Sequence, residues 1–200
     1  MLAASSGRRR FHVRRKIMKP IAVCEYDPGW PDAFARLAAV FEKGLSGIAY
    51  RIEHVGSTSV PGLAAKPIID IDIIVSMASL PHSIRALELI GYRHRGDLGI
   101  KDREAFFPPD GIDIEHHLYV CIEGALALRN HLVFRDWLKT HSEDRALYGD
   151  LKMNLAKRFP HDIDSFIAGK TEFIVFILSR CGLGDAELGD IRNVNQHPKA

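Results

Sequence analysis

The sequence predicts an α/β (α+β) fold: a mixed β-sheet flanked by helices, with a C-terminal helical portion. Three observations carry this expectation. "IIDIDIIV" at 68–75 is β-branched almost throughout, which suits a central strand. Residues 30–45 carry an apolar stripe of helical period. After about residue 124 three successive segments have helical period, with no further strand pattern.

The elements follow in chain order. "YDPGWP" at 26–31 is a turn cluster leading into a helix. In that helix Trp30, Phe34, Leu37, Ala38, Phe41 and Leu45 recur at i, i+4, i+7, i+8, i+11 and i+15. Gly44 and Gly47 then loosen and stop it. "AYRIEHV" at 49–55 alternates as a strand does. A small-residue loop follows, then the strand at 68–75. "LPHSIRALELIG" at 80–91 reads as a helix, with Pro81 in the first turn and Gly91 as its stop. Residues 92–111 are polar and glycine-rich, which predicts short strands and a loop. "GIDIEHHLYV" at 111–120 alternates again. The three late helices span about 125–141, 142–159 and 162–181, the last capped by Asp162.

The chain of 200 residues fits one compact domain, and 46% hydrophobic with 26% charged content is ordinary for a globular protein. The predicted division is a disordered basic extension at 1–18, a single domain at 19–182 and a polar, frayed tail at 183–200. Within the domain the sheet part covers about 19–123 and the helical part about 124–182. Residues 1–18 hold five arginines, one lysine and no acid. Such a segment can mark a transit peptide or a nucleic-acid tail; the plainer expectation is an extension, with Met18 the more natural start. Because the whole chain carries +2, the rest carries −4, which argues against a nucleic-acid partner. No stretch approaches the roughly 20 apolar residues of a membrane-spanning helix. Cys24, Cys121 and Cys181 are scattered and odd in number, which predicts reduced thiols and a cytoplasmic protein.

The chemistry concentrates at 54–75. In a strand alternate side chains share a face, so Asp70 and Asp72 point one way while Ile69, Ile71 and Ile73 point into the core. Two unpaired carboxylates buried together repel each other. Facing a cleft they suit a divalent cation, Mg²⁺ or Mn²⁺, which takes hard oxygen ligands and substrate phosphates. The plain alternative is a wet edge strand, but so many β-branched residues fit an edge poorly. Just upstream, Gly56 permits a tight turn, and Ser57, Thr58 and Ser59 offer hydroxyl and N–H groups to phosphate oxygens. The run is not a P-loop, because it lacks the GK[ST] ending.

Taken together, Val55-Gly56-Ser57, a gap of about a dozen residues, and Asp70-Ile71-Asp72-Ile73 resemble the signature of the polymerase-β-like nucleotidyltransferase superfamily. "YDPGWP", "IEHVGSTSVPGLAAKPIIDIDIIV", "FRDWL" and "LKMNLA" resemble, more closely, the motifs of the GrpB family across residues 26 to about 180. The resemblance implies a nucleotidyltransferase-like mixed sheet and transfer of a nucleotidyl group from an NTP to a small-molecule acceptor. Related domains fused to dephospho-CoA kinase hint at nucleotide or cofactor metabolism.

That resemblance assigns Asp70 and Asp72 as catalytic metal ligands for Mg²⁺ or Mn²⁺. Phosphate contacts fall to Gly56, Ser57 and Ser59, with His54, Lys66, Arg103 and Lys152 nearby. Each basic residue also reads as a solvated surface charge, and His54 equally as packing on Pro61. Arg135 could neutralise a phosphate or pair with Asp136. A third metal ligand is His117, Glu115 or none. Relatives tend to read His-His-Leu-His-Val there, and Tyr119 stands in the place of the second alternating histidine. "GIKDREAF" also departs from the family's glycine-arginine form, although Arg103 aligns. Two rival readings stand beside the enzyme: a catalytically silent nucleotide-binding or regulatory module, and a metal-dependent phosphoester hydrolase using Asp70, Asp72 and His117.

Overall fold

The structure is a computed structural model and describes residues 20–196. The basic extension expected at 1–18 lies outside those residues. Among the described residues the chain forms five strands and six helices.

Helix α1, Trp30–Gly44, begins with Pro31 in its first turn, where a missing N–H is harmless. Strand β1 is Tyr50–Val55. Ser57–Ser59 makes a single 3₁₀ turn before strand β2, Ile69–Val75. Helix α2, Leu80–Leu89, leads to the short strands β3, Arg93–Gly96, and β4, Arg103–Phe107. Strand β5 is His116–Ile122. Then come α3, Leu126–Thr140; α4, Ser142–Arg158; α5, Ile163–Arg180; and α6, Asp185–Gln196.

The sheet order is β1-β2-β5-β4-β3. β2 pairs antiparallel with β1 and parallel with β5, and the remaining pairs are antiparallel, so the sheet is mixed. β2 is interior, as its β-branched run requires. One sheet face is covered by α1 and α2. There Leu37, Phe41, Leu87 and Tyr92 pack on Ile69, Ile71, Ile73, Leu118 and Val120. The opposite face meets α3, where Ile74 and Cys121 touch Ala125 and Leu128.

Two expectations change. The last strand starts at His116, not Gly111, so Asp113 and Glu115 precede the ladder. Within the tail expected to fray, residues 185–196 form α6, which buries Leu188 and Ile191 against Val175 and Leu178 of α5. Its apolar stripe is sparse, so the helix depends on that packing more than on its own pattern. The cap predicted at Asp162 is present, with its Oδ1 accepting from Ser165 N–H at 3.0 Å.

The turn joining β3 to β4 holds two non-glycine residues in the left-handed region, Leu98 (φ 50) and Asp102 (φ 61). For leucine that conformation costs about 1–2 kcal/mol.

Candidate functional site

Directly paired residues of neighbouring strands share a sheet face. Val55, Asp70 and His117 lie in one row, and Glu53, Asp72, Tyr119 and Ala105 in the next. Ile74, Cys121 and Arg103 form a third row. All three rows face α3, so the two acids share a face turned away from the isoleucine core.

Each acid has a histidine partner. His117 Nδ1 stands 2.8 Å from Asp70 Oδ1. His131 Nδ1, reaching down from α3, stands 2.7 Å from Asp72 Oδ2. Burial acts to raise the Asp70 pKa, but the His117 hydrogen bond and the charges of His117, His131 and Lys66 prevail and hold it below the ordinary value. For His131 burial acts to lower the pKa, and the Asp72 charge and hydrogen bond outweigh it, so the net shift is upward. Asp72 is 0% exposed, and its Oδ1 has no hydrogen-bond partner among the described residues. A buried carboxylate oxygen without a protein partner is costly, and a water or a cation would satisfy it.

The loop is built against these acids. Gly56 has φ 69, and a Cβ there would lie 2.1 Å from Asp70 Oδ2. Only glycine lets the turn close onto the carboxylate. Ser57 Oγ accepts from Lys152 Nζ at 2.7 Å, and that nitrogen also donates to the Ala64 carbonyl. Ser59 Oγ donates to the Gly56 carbonyl at 2.6 Å, tightening the turn. Thr58 Oγ1 donates to the Ile68 carbonyl at 3.2 Å and therefore accepts from His54 Nε2 at 3.0 Å.

His54 faces the other side of the sheet, because it pairs with Ile71. Its ring stacks on Phe34 at 4.7 Å. Burial first, then the nearby charges of Lys139 and Arg135, push its pKa down to about 4 against the pull of Asp70. In this geometry His54 braces the loop through Thr58.

Lys152 is 3% exposed. Burial, with the Lys170 charge, pushes its pKa down to about 6. Burial and the charge of Lys66 push Lys170 down to about 8. Lys66, Lys152 and Lys170 line a cleft of about 80 Å³ together with Ser57, Asp70 and His117. A neighbouring cleft of about 230 Å³ runs from Gly56, Ser57 and Asp70 past Asn130, His131 and Arg135. Arg135 fastens α3 to β1 by donating to Glu53 Oε2 at 2.7 Å and to the His54 carbonyl at 3.0 Å, besides its pair with Asp136.

Besides His54, two of the expected site residues stand apart. Glu115 is exposed ahead of β5, where its carbonyl accepts from Ile69 N–H at 3.0 Å. Arg103 lines a different cleft, away from Ser57. Among the described residues no group of three or more His, Cys, Asp or Glu side chains could hold a metal ion by itself. Two carboxylates on one face, one with a free buried oxygen, nevertheless fit Mg²⁺ or Mn²⁺, which bind through one or two carboxylates, waters and substrate phosphates.

His131 and Lys170 lie outside the sequence motifs, and Arg135, expected to neutralise a phosphate or pair with Asp136, pairs with Glu53 as well as Asp136. One signal was present for α3: Leu128, His131, Arg135 and Leu138 at i, i+3, i+7 and i+10 lie on one stripe, so both polar residues face the sheet with the leucines. Lys170 gives no comparable signal.

Fold and site together define an α+β protein whose acid-bearing strand is overhung by a glycine-serine loop. The chain matches the GrpB protein family over residues 20–180 and belongs to that family. It is 41% identical over 164 residues to a UPF0157 protein of Pseudomonas aeruginosa, covering 80% of this chain and 67% of that one. A UPF0157 protein of Halalkalibacterium halodurans is 36% identical over 163 residues, covering 80% and 82%. The crystal structure of a GrpB protein from Enterococcus faecalis has the same fold, with a TM-score of 0.70 and 32% identity, covering 84% of this chain and 98% of that one. No helix among the described residues is long and apolar enough to cross a membrane. Cys24, Cys121 and Cys181 are free.

Proposed function

We propose that this protein is a nucleotidyltransferase of the polymerase-β-like kind, moving a nucleotidyl group from an NTP to a hydroxyl on a small-molecule acceptor. The observation that carries the reading is the closure of the Gly56-Ser57 turn onto Asp70, with a buried lysine on the Ser57 hydroxyl. That arrangement joins a phosphate-binding loop to an acidic pair.

Ser57, Lys66, Lys152 and Lys170 would hold the β- and γ-phosphates. Asp70 and Asp72 would hold Mg²⁺ or Mn²⁺, which when bound neutralises phosphate charge at the reacting centre. With His131 Nδ1 donating to Asp72, Nε2 is the lone-pair nitrogen of the neutral ring. As the acceptor oxygen bonds to the α-phosphorus, its proton passes to His131 Nε2. The bond from the α-phosphorus to the α–β bridging oxygen breaks, and pyrophosphate leaves with that electron pair into the lysine pocket. His117 keeps Asp70 oriented.

The silent nucleotide-binding module is a second reading, supported by the histidine already on each acid and by the engagement of Glu53, the carboxylate paired with Asp72 across the strands, with Arg135. Pyrophosphate release separates the two. Release with NTP, Mn²⁺ and a panel of hydroxyl acceptors, lost in Asp70→Asn, supports transfer. Tight nucleotide binding without release for any acceptor supports the module.

A further inference from the structure

The cleft that Arg103 lines has a volume of about 310 Å³, large enough for a small molecule. Its floor is Arg103 of β4, and its walls are Ile100 from the β3–β4 turn, Leu126 at the start of α3, and Ile191 and Val194 of α6. It meets the cleft of about 230 Å³ at Asn130, His131 and Asn195, which border both.

Arg103 is 8% exposed. Its guanidinium lies 4.3 Å over the Tyr119 ring, and among the described residues it makes no hydrogen bond or ion pair; Nε is buried with no partner. A buried guanidinium without an anion is costly, and its planar donors match carboxylate or phosphate oxygens. Lys101 and Asp190 also border the cleft, but both are exposed and of opposite sign. Arg103 therefore dominates the charge at the floor. β4 lies two strands from β2, about 10 Å across the sheet, and on the far side from the Gly56-Ser57 loop. The acids thus sit between two cation-lined pockets.

We infer that this second cleft is the acceptor site, and that it takes a small molecule with an apolar body and a carboxylate or phosphate that pairs with Arg103. The inference rests on the nucleotidyl-transfer reading. An acceptor anchored at Arg103 would present its hydroxyl toward His131, whereas a hydrolase needs only water there. The apolar walls choose the body, and the anion fixes the end that points away from the reacting centre.

The test is titration calorimetry with phenyl phosphate and, separately, 3-phenylpropionate, each against wild type, Arg103→Met, Val194→Trp and Lys152→Met. Mg²⁺ with a non-hydrolysable ATP analogue is titrated into the same proteins. At least one anion should bind wild type, weaken about tenfold or more in Arg103→Met and Val194→Trp, and be unchanged in Lys152→Met. The stronger of the two names the anion class. Methyl NMR of wild type keeps the test open if a variant fails to fold: Ile100 and Val194 should shift with the anion, and Val60 should not. No binding of either anion, weakening by Lys152→Met instead, or shifts at Val60 alone would overturn the inference. Failure of the nucleotide analogue to bind wild type would overturn the transfer reading instead, and the anion titrations report separately.

Discussion

Asp72 on β2 and His131 on α3 form a pair at 2.7 Å across the joint between sheet and helical portion, and one oxygen of that carboxylate is left free. The pair fastens α3 above the acids and also aims the imidazole into both clefts. Removing one partner leaves the other buried without its counter-charge. His131→Ala should therefore lower unfolding stability by about 2–3 kcal/mol, and Asp72→Asn in that background should restore part of the loss. A double-mutant cycle in urea measures the coupling; additive losses would show that the contact contributes nothing.

The same pair sets a pH dependence. The His131 pKa is raised in the folded chain above its ordinary 6.5. The unfolded chain then binds fewer protons than the folded one between the two values. The stabilisation is fully present below pH 6.5 and is lost as pH rises through the folded pKa. The stability difference between wild type and Asp72→Asn, from urea midpoints between pH 6 and 9, should shrink as pH rises, whatever rise Lys152 contributes to both proteins.

Gly56→Ala meets two obstacles at once, φ 69 and a Cβ 2.1 Å from Asp70 Oδ2. The backbone strain alone should cost about 1–3 kcal/mol, and relief requires the loop or Asp70 to move. Thermal melting should report the loss. Mn²⁺ affinity, read by paramagnetic broadening, should fall with it, and unchanged affinity would separate the loop from the acids.

Lys152 behaves in the opposite sense to a surface lysine. Its pKa of about 6 leaves it mostly neutral at pH 7.5, and a bound phosphate favours its charged form. Nucleotide binding at pH 7.5 should take up a proton, seen as buffer-dependent heats in calorimetry, and affinity should fall as pH rises above 6. Lys152→Met should weaken binding about 10- to 100-fold and abolish the uptake. For the free protein, the unfolded chain binds more protons between pH 6 and the ordinary 10.5, so stability rises with pH across that window. The Met variant should lack that rise.

His54 gives acid sensitivity to the loop. Its folded pKa of about 4 lies below its ordinary 6.5, so stability falls as pH drops between those values. His54→Gln, which can still donate to Thr58, should reduce that fall while keeping nucleotide affinity within about threefold. A large loss of affinity at constant stability would make His54 a phosphate ligand.

Much of this architecture is legible from local pattern. The β-branched run at 68–75 announces an interior strand, and the two-residue period puts Asp70 and Asp72 on one face. Gly56 and Asp70 come together because β1 and β2 are adjacent antiparallel strands, a topology the short connection favours. The His131–Asp72 contact joins residues 59 apart and depends on how α3 lies across the sheet, which no single segment encodes. The alternation at 111–115 imitates a strand, yet those residues lack a ladder partner until His116 meets Ile69. Helix α6 was hidden because its polar stretch becomes helical only where Leu188 and Ile191 find α5. Arg103 aligned with the family motif, but its strand position two strands from β2 separates it from the phosphate loop.

The most direct test of the central claim is ³¹P NMR of an NTP incubated with the protein, Mn²⁺-free Mg²⁺ and a mixture of small hydroxyl acceptors that includes anionic ones. The account predicts the appearance of pyrophosphate together with a new phosphodiester or phosphate-linked nucleotide signal, both absent with Asp70→Asn. Release of nucleoside monophosphate and pyrophosphate without an acceptor adduct, or an unchanged spectrum despite tight NTP binding, would contradict it.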